Sequence, residues 1–222
     1  MQDNTSHLNA IEYDSKIADT IPFYQEFHQQ TISVVRNMGF EKIDWLDLGC
    51  GTGTLAAKAS QAIRDIRFTM VDPSENMLQQ AKENNPDLQA VYLCAGSENI
   101  TFSEEFDVIT AIQSHHYLQK EGREKATNNV YRALRKNGIY IAFENVVPEA
   151  EELKNLELQR WGSYQKEHGK TDEEVKDHIA RCGVNYFPLP VSAHIELLQR
   201  AGFSSVHVFW YSYMQMGIYA IK

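Results

Sequence analysis

The stretch Trp45-Leu46-Asp47-Leu48-Gly49-Cys50-Gly51-Thr52-Gly53 limits what this chain can fold into more than any other. An apolar run ends in an acid, and glycines on alternate positions follow at once. Glycine at that spacing permits positive φ and leaves no Cβ between the loop and a ligand. Ile43, Trp45, Leu46 and Leu48 have the β-rich apolar character of a buried first strand. Leu55, Ala56, Ala59 and Ile63 then recur at helical spacing. The unit predicts strand, glycine loop and helix, which places a nucleotide-type site at the carboxyl end of a parallel sheet. A tight strand-to-helix turn that happens to be rich in glycine is the plain alternative.

A second signal stands in register with the first. Residues 66–71 read as a strand that ends in Asp72, 19 positions after Gly53. An acid about 20 positions on, at the tip of the next strand, is placed to accept both ribose hydroxyls of an adenosine. Its alternative is a helix-N-terminal acid and nothing more. Ser74 can cap the helix that follows, with Glu75 favourable in its first turn and Met77 and Leu78 opening its apolar stripe. The glycine spacing is G-x-G-x-G, whereas a dinucleotide fold wants G-x-G-x-x-G and a P-loop needs a lysine after its glycines.

The run Asp47-Leu48-Gly49-Cys50-Gly51-Thr52-Gly53 resembles the first motif of the class I S-adenosylmethionine-dependent methyltransferases. That cofactor has no phosphate, which suits a loop built for close approach rather than for anion binding. The resemblance implies an α/β, doubly wound, mostly parallel seven-stranded sheet with a C-terminal antiparallel hairpin, a Rossmann-like fold. It implies S-adenosylmethionine held by Asp47, Gly49, Cys50, Gly51 and Gly53, with the ribose on Asp72 and the adenine beside Pro73, Ser74 and Met77. The family often carries an acid for the adenine amino group in a stretch like G-D-A-E. Here Ala95-Gly96-Ser97-Glu98 puts Gly96 in that place, so the contact falls to backbone groups, Ser97 or Glu98. Gln113 and Ser114, after the fourth strand, match the loop that lines the methionine part. The family's N-terminal segment folds over the cofactor, which makes Tyr13 and Tyr24 lid residues; a tyrosine face gains cation–π attraction beside a sulfonium. Packing of a helix on the sheet is the other reading of these aromatics, and of Phe23. A weaker, near full-length similarity to the carboxy-S-adenosylmethionine synthase branch rests on Ile21-Pro22-x-Tyr24 and on Ala201-Gly202-Phe203 before an aromatic strand. That branch holds its extra carboxylate with an arginine in the insert, and Arg181 lies near but offset from that position.

The rest of the chain is consistent with one domain spanning 1–222, with a helical lid at about 8–42 and a helical insert at about 148–190. Ile32, Val35 and Met38 share a stripe before Gly39. Residues 90–94, 106–112 and 139–143 read as the third, fourth and fifth strands. A helix from about 123 to 134 is predicted to stop at the turn pair Asn137-Gly138. Residues 148–182 look like one or two amphipathic helices with Leu153, Leu156, Trp161 and Tyr164 as apolar contacts. After Pro188 and Pro190, residues 191–200 form a last helix ending at Gly202. Strands at 206–213 and 217–221 are joined too closely for a crossover and must be antiparallel.

Candidates for chemistry sit on the ligand edge. His115 and His116 follow the fourth strand, and either could act as a general base, since an ordinary histidine titrates near neutrality; packing at a helix start is the alternative. Glu144, at the tip of the fifth strand, can bind an acceptor amine, offset a sulfonium charge, or cap a helix, and Asn145 shares that ambiguity. His168, His178, His194 and Cys182 lack tight spacing, so no metal is expected. The net charge of −9, with 30 acids against 21 bases, argues against nucleic acid and favours a small-molecule substrate. No apolar run approaches the roughly 20 residues that span a bilayer. The start Met1-Gln2-Asp3-Asn4 has no basic n-region or apolar core, and Cys50, Cys94 and Cys182 show no metal spacing. A cytoplasmic protein is expected, in which the N-x-S/T matches at Asn4 and Asn99 are chance. Oligomeric state is left open, with a homodimer among the choices.

Overall fold

The structure, a computed structural model, describes residues 10–222. The Met1–Asn4 start, the match at Asn4 and the first residues of the lead-in at 8 and 9 lie outside the described residues. Seven strands form one sheet: β1 (Ile43–Leu48), β2 (Ile66–Asp72), β3 (Ala90–Cys94), β4 (Phe106–Ile112), β5 (Leu134–Asn145), β6 (Ser205–Ser212) and β7 (Gln215–Ile221). Their order is β3-β2-β1-β4-β5-β7-β6. β1 pairs in parallel with both β2 and β4, so the chain reverses its direction of winding between β1 and β4. Ligands in open α/β sheets bind beyond the strand ends at such a switch point. β7 runs antiparallel between β5 and β6 and closes the sheet with a hairpin.

Helices cover both faces. α1 (Ala10–Thr20), α2 (Tyr24–Asn37), α3 (Thr54–Ala62) and α4 (Glu75–Asn84) precede β3. α5 (Lys120–Ala133), α6 (Glu151–Glu167), α7 (Asp172–Ala180) and α8 (Val191–Ala201) follow β4. One apolar cluster joins Trp45, Phe68 and Met70 to Phe27, Val35, Leu55 and Trp161. The other joins Leu46, Leu48, Val71 and Ile109 to Val130, Ala133 and Leu198. Alternate residues of β1 therefore feed opposite clusters, which is why the strand reads as a continuous apolar run. Among the described residues no helix is long and apolar enough to cross a membrane.

Three local expectations are corrected. Asn137-Gly138 does not stand between helix and strand but lies inside β5, where Asn137 has φ 65°. The ladder jumps there from Leu134 opposite Phe106 to Ile139 opposite Val108, so the pair makes a bulge. Leu153 and Leu156 are exposed, and Leu158 turns inward in their place. The lead-in is two helices, broken at Phe23, whose φ of 57° starts α2.

Candidate cofactor and acceptor site

The glycine loop turns back over the tip of β2. Gly49 and Cys50 donate their amides to the Val71 carbonyl at 2.7 and 3.1 Å. Gly49, Gly51 and Gly53 all have positive φ. At Gly49 the absence of a side chain is a steric need, since a Cβ would come within 2.3 Å of Ser114 Oγ. Asp72 reaches across: Oδ2 accepts from the Gly51 amide at 2.9 Å and Oδ1 from the Ser74 amide at 2.9 Å. The acid is thereby fixed in orientation.

A cleft of about 270 Å³ opens at this point. Its wall contains Gly49, Gly51, Asp72, Pro73, Met77, Ser97, Glu98, Gln113, Ser114 and Tyr13. A smaller recess beside it adds Tyr24, Asp47 and Cys50. Two expected residues stay out of both linings. Gly53 is the N-cap of α3, and a Cβ there would meet Asn85 Nδ2 at 2.9 Å, so its glycine serves packing. Ser74 is fully buried, and its hydroxyl accepts from the Met77 amide at 3.1 Å as the N-cap of α4.

Gly96 repeats the logic of Gly49 in another way. A Cβ at Gly96 would lie 2.5 Å from Glu98 Oε2, so the Glu98 carboxylate occupies the place of a side chain at 96. That Oε2 is buried without a hydrogen-bond partner. The carboxylate that the sequence lacks at 96 is thus supplied from two positions on.

Asp47 lies under the loop. Its Oδ1 accepts from the Thr110 hydroxyl at 2.7 Å, and Thr110 in turn accepts from Trp45 Nε1 at 2.9 Å. Burial pushes the Asp47 carboxyl up to about 7, the Asp72 charge adds to the rise, and the Thr110 hydrogen bond opposes it. Residues that sequence reading passed over also face this recess: His28, Thr52 and Thr54. Burial, with Lys58 beside it, lowers His28 to about 3. Helical spacing had made His28 indistinguishable from a packed residue.

α1 forms the roof. Tyr13 lines the cleft and both of its side recesses. Asp14 Oδ1 accepts from Thr52 at 2.8 Å and from Thr54 at 3.0 Å, which ties the helix to the start of α3. Trp161 Nε1 donates to the Thr20 carbonyl at 2.6 Å and Tyr164 to the Ala18 carbonyl at 3.0 Å, which ties it to α6. Trp161 and Tyr164 therefore hold α1 and are absent from the linings of the cleft and its recesses.

On the other side of Gln113 and Tyr117 lies a second, polar recess of about 20 Å³. Tyr13, Gln113, His116, Asn145, Arg181 and Tyr186 are among its walls. Gln113 sits at φ 53°, a costly backbone for a non-glycine, with its amide held by the Phe143 carbonyl at 2.7 Å. His115 and Glu144 lie behind this recess, out of its wall. Glu144 Oε1 accepts from the His115 amide at 3.2 Å, and Oε2 stands 3.4 Å from His116 Nδ1. Burial alone would raise Glu144, but His116, His115 and Arg123 outweigh it and hold the carboxyl near 2. Burial lowers His115 to about 4, against the pull of Glu144. His115 Nδ1 is 3.2 Å from the Tyr140 hydroxyl, so its ring is engaged in the core.

Comparison with known proteins bears on the fold. A family profile described as a methyltransferase domain matches residues 46–138. The carboxy-S-adenosyl-L-methionine synthase of Staphylococcus epidermidis is 26% identical over 98% of this chain and 95% of its own length. The protein of the same name from Nautilia profundicola is 22% identical over 88% and 84%. A solved S-adenosylmethionine-dependent methyltransferase from Mesorhizobium loti has a TM-score of 0.61 at 20% identity, covering 86% of this chain and 96% of that one.

Proposed function

On the premise that this chain has the fold and domain signature of the class I S-adenosylmethionine-dependent methyltransferases, we propose that it methylates a small-molecule acceptor bound in the recess of His116. The family's cofactor is S-adenosylmethionine, which supplies an electrophilic methyl group. The residues present fit it: an open glycine floor at Gly51, a pre-oriented Asp72 for ribose hydroxyls, and the unpartnered Glu98 oxygen for an adenine amino group. Gln113 and Ser114 take the methionine part.

The observation that carries the reading is the wall shared by the two cavities. Gln113, Tyr117 and Tyr13 belong both to the cofactor-sized cleft and to the polar recess beyond it. An acceptor held against that wall, under α1, would stand next to a cofactor bound in the cleft. Holding both partners in line can supply ~7–11 kcal/mol of barrier lowering. His116 turns Nδ1 toward Glu144, which leaves Nε2 to take a proton from the acceptor. Glu144 and the His115 amide fix that orientation, so both are positioning groups. The acidic surface favours a small acceptor over nucleic acid.

A second reading has its own support. Arg181 stands in the wall of the same recess as His116, and the synthases match nearly the whole chain. Under that reading Arg181 holds the carboxylate of a carboxymethyl sulfonium. One experiment separates the two. Purified protein is incubated with metabolite extract and isotopically labelled methyl donor, and products are read by mass spectrometry. Label on a small molecule supports methyl transfer. Label confined to RNA, or a carboxymethyl sulfonium co-purifying with the protein, overturns it.

A further inference from the structure

Behind the recess, three side-chain atoms are buried without hydrogen-bond partners, His115 Nε2, Arg123 Nη1 and His194 Nε2, around the pair of His116 Nδ1 and Glu144 Oε2, which stand 3.4 Å apart. Their residues are at most 5% exposed and come from four elements: the turn after β4, α5, the tip of β5, and α8. Contacts draw them together. Arg123 Nε donates to the His115 carbonyl at 3.2 Å, and Glu144 touches both histidines of the turn. The charges that act on the His194 ring are those of Glu144, Arg123, His116 and His115. Tyr140, from β5, faces the same cluster through His115.

Buried polar atoms are paired in more than nine cases in ten, so several orphans in one neighbourhood call for a physical partner. Internal water meets such groups with about three hydrogen bonds. A direct ion pair would satisfy Glu144 and Arg123 but not the ring nitrogens of His115 and His194. On the outer side of the cluster, Arg123 lines a surface cleft of about 630 Å³ between α5 and α8, together with Ala193 and Leu197, which flank His194 on its helix.

We propose that this cluster is a proton exit, in which a proton taken up at His116 passes through Glu144, internal water and His194 to the cleft between α5 and α8. The proposal rests on the methyl-transfer reading for its purpose. Methylation of an O–H or N–H acceptor leaves one proton over for each bond formed to carbon. His116 Nε2 binds that proton as its Nδ1 proton moves to Glu144 Oε2. Glu144 returns to carboxylate by handing the proton to water held by His194 and Arg123, and from there it reaches solvent. His194 acts through other groups and is a positioning residue. The route lets a site roofed by α1 discharge acid without opening.

The test is solvent exchange of histidine ring N–H protons, read by NMR on the full chain labelled at histidine nitrogen and saturated with S-adenosylhomocysteine. The expected result is exchange at His115 and His194 that is orders of magnitude faster than at the Ile141 amide and insensitive to mild denaturant, as for a local path. Ala193→Trp, at the mouth of the outer cleft, should slow that exchange roughly tenfold or more. Leu197→Trp serves if the first variant does not fold. His194→Gln should slow exchange at the His116 ring. Ring protons as slow as the Ile141 amide, or rates unmoved by the cleft variants, would overturn the proposal. The readout needs no acceptor, so it stands or falls separately from the methyl-transfer reading.

Discussion

At the scale of single residues, the motif was legible where backbone geometry demands one residue type. Gly49, Gly51 and Asp72 announce themselves because nothing else fits the close loop or the strand tip. Asp72→Ala should remove two charge-assisted hydrogen bonds to a ribose, at ~1.5–3 kcal/mol each. Calorimetry with S-adenosylhomocysteine should therefore show affinity weakened by at least about a hundredfold. Asp47 yields a pH prediction. Its carboxyl is raised to about 7, so it is largely protonated at pH 6, and a cationic cofactor group above it favours the ionised form. Binding then releases a proton, and affinity should climb with pH by up to about tenfold per unit before levelling above 7. Asp47→Asn should flatten that profile between pH 5.5 and 7.5; a wild-type profile already flat would remove Asp47 from the cofactor's charge environment. Glu98 shows what the sequence hid. The family's acid is missing at Gly96, and a carboxylate two positions later swings into its space, a replacement that depends on the loop's path and leaves no trace in spacing. His116 and His115 were equivalent as letters; which one meets the recess follows from the 3-10 turn at His115–Tyr117.

At the scale of elements, strands and most helices were readable from period and punctuation. The misread places share a cause. Asn137-Gly138 is a strong turn signal, yet β5 absorbs it as a bulge because flanking residues on both sides find partners on β4. The outward Leu153 and Leu156 defeated a simple stripe because α6 is supported only along its C-terminal half. Trp161 and Tyr164 read as apolar contacts of the insert, and the structure also spends their polar atoms on α1. Trp161→Phe strands the Thr20 carbonyl, a loss of about 1–3 kcal/mol, and adds the cost of the space left by the smaller ring. Limited proteolysis should then cut within α1 sooner than in the wild type, with the sheet fragment persisting. Cleavage rates equal in both proteins would mean that α1 is held by its other contacts.

At the scale of the whole molecule, acid should be destabilising, and the signs can be followed group by group. His28 near 3, His115 near 4 and His194 near 4 are all held neutral in the fold. The unfolded chain protonates them at about 6.5, so each contributes stability that is complete above that value and is lost as pH falls. Asp47 works the other way, because its raised carboxyl takes up a proton in the fold between about 7 and 4. Three groups against one leave a net loss on the order of 3 kcal/mol between pH 6.5 and 5. Urea unfolding at those two pH values measures it; Glu144, held near 2, should contribute only below about 4.5. Equal midpoints at both pH values would contradict the burial of these imidazoles.

The ties of α1 bear on traffic through the site. One helix roofs the cofactor cleft and, through Tyr13, the recess beyond it, and its bonds to Thr52, Thr54 and α6 must loosen together for either ligand to pass. A roof that closes over both sites predicts that the cofactor on the glycine floor enters first and departs last. Steady-state kinetics should accordingly be compulsory-order, with S-adenosylhomocysteine competing against S-adenosylmethionine yet inhibiting noncompetitively against the acceptor. A pattern competitive against both would mean random entry, and a roof that opens in halves.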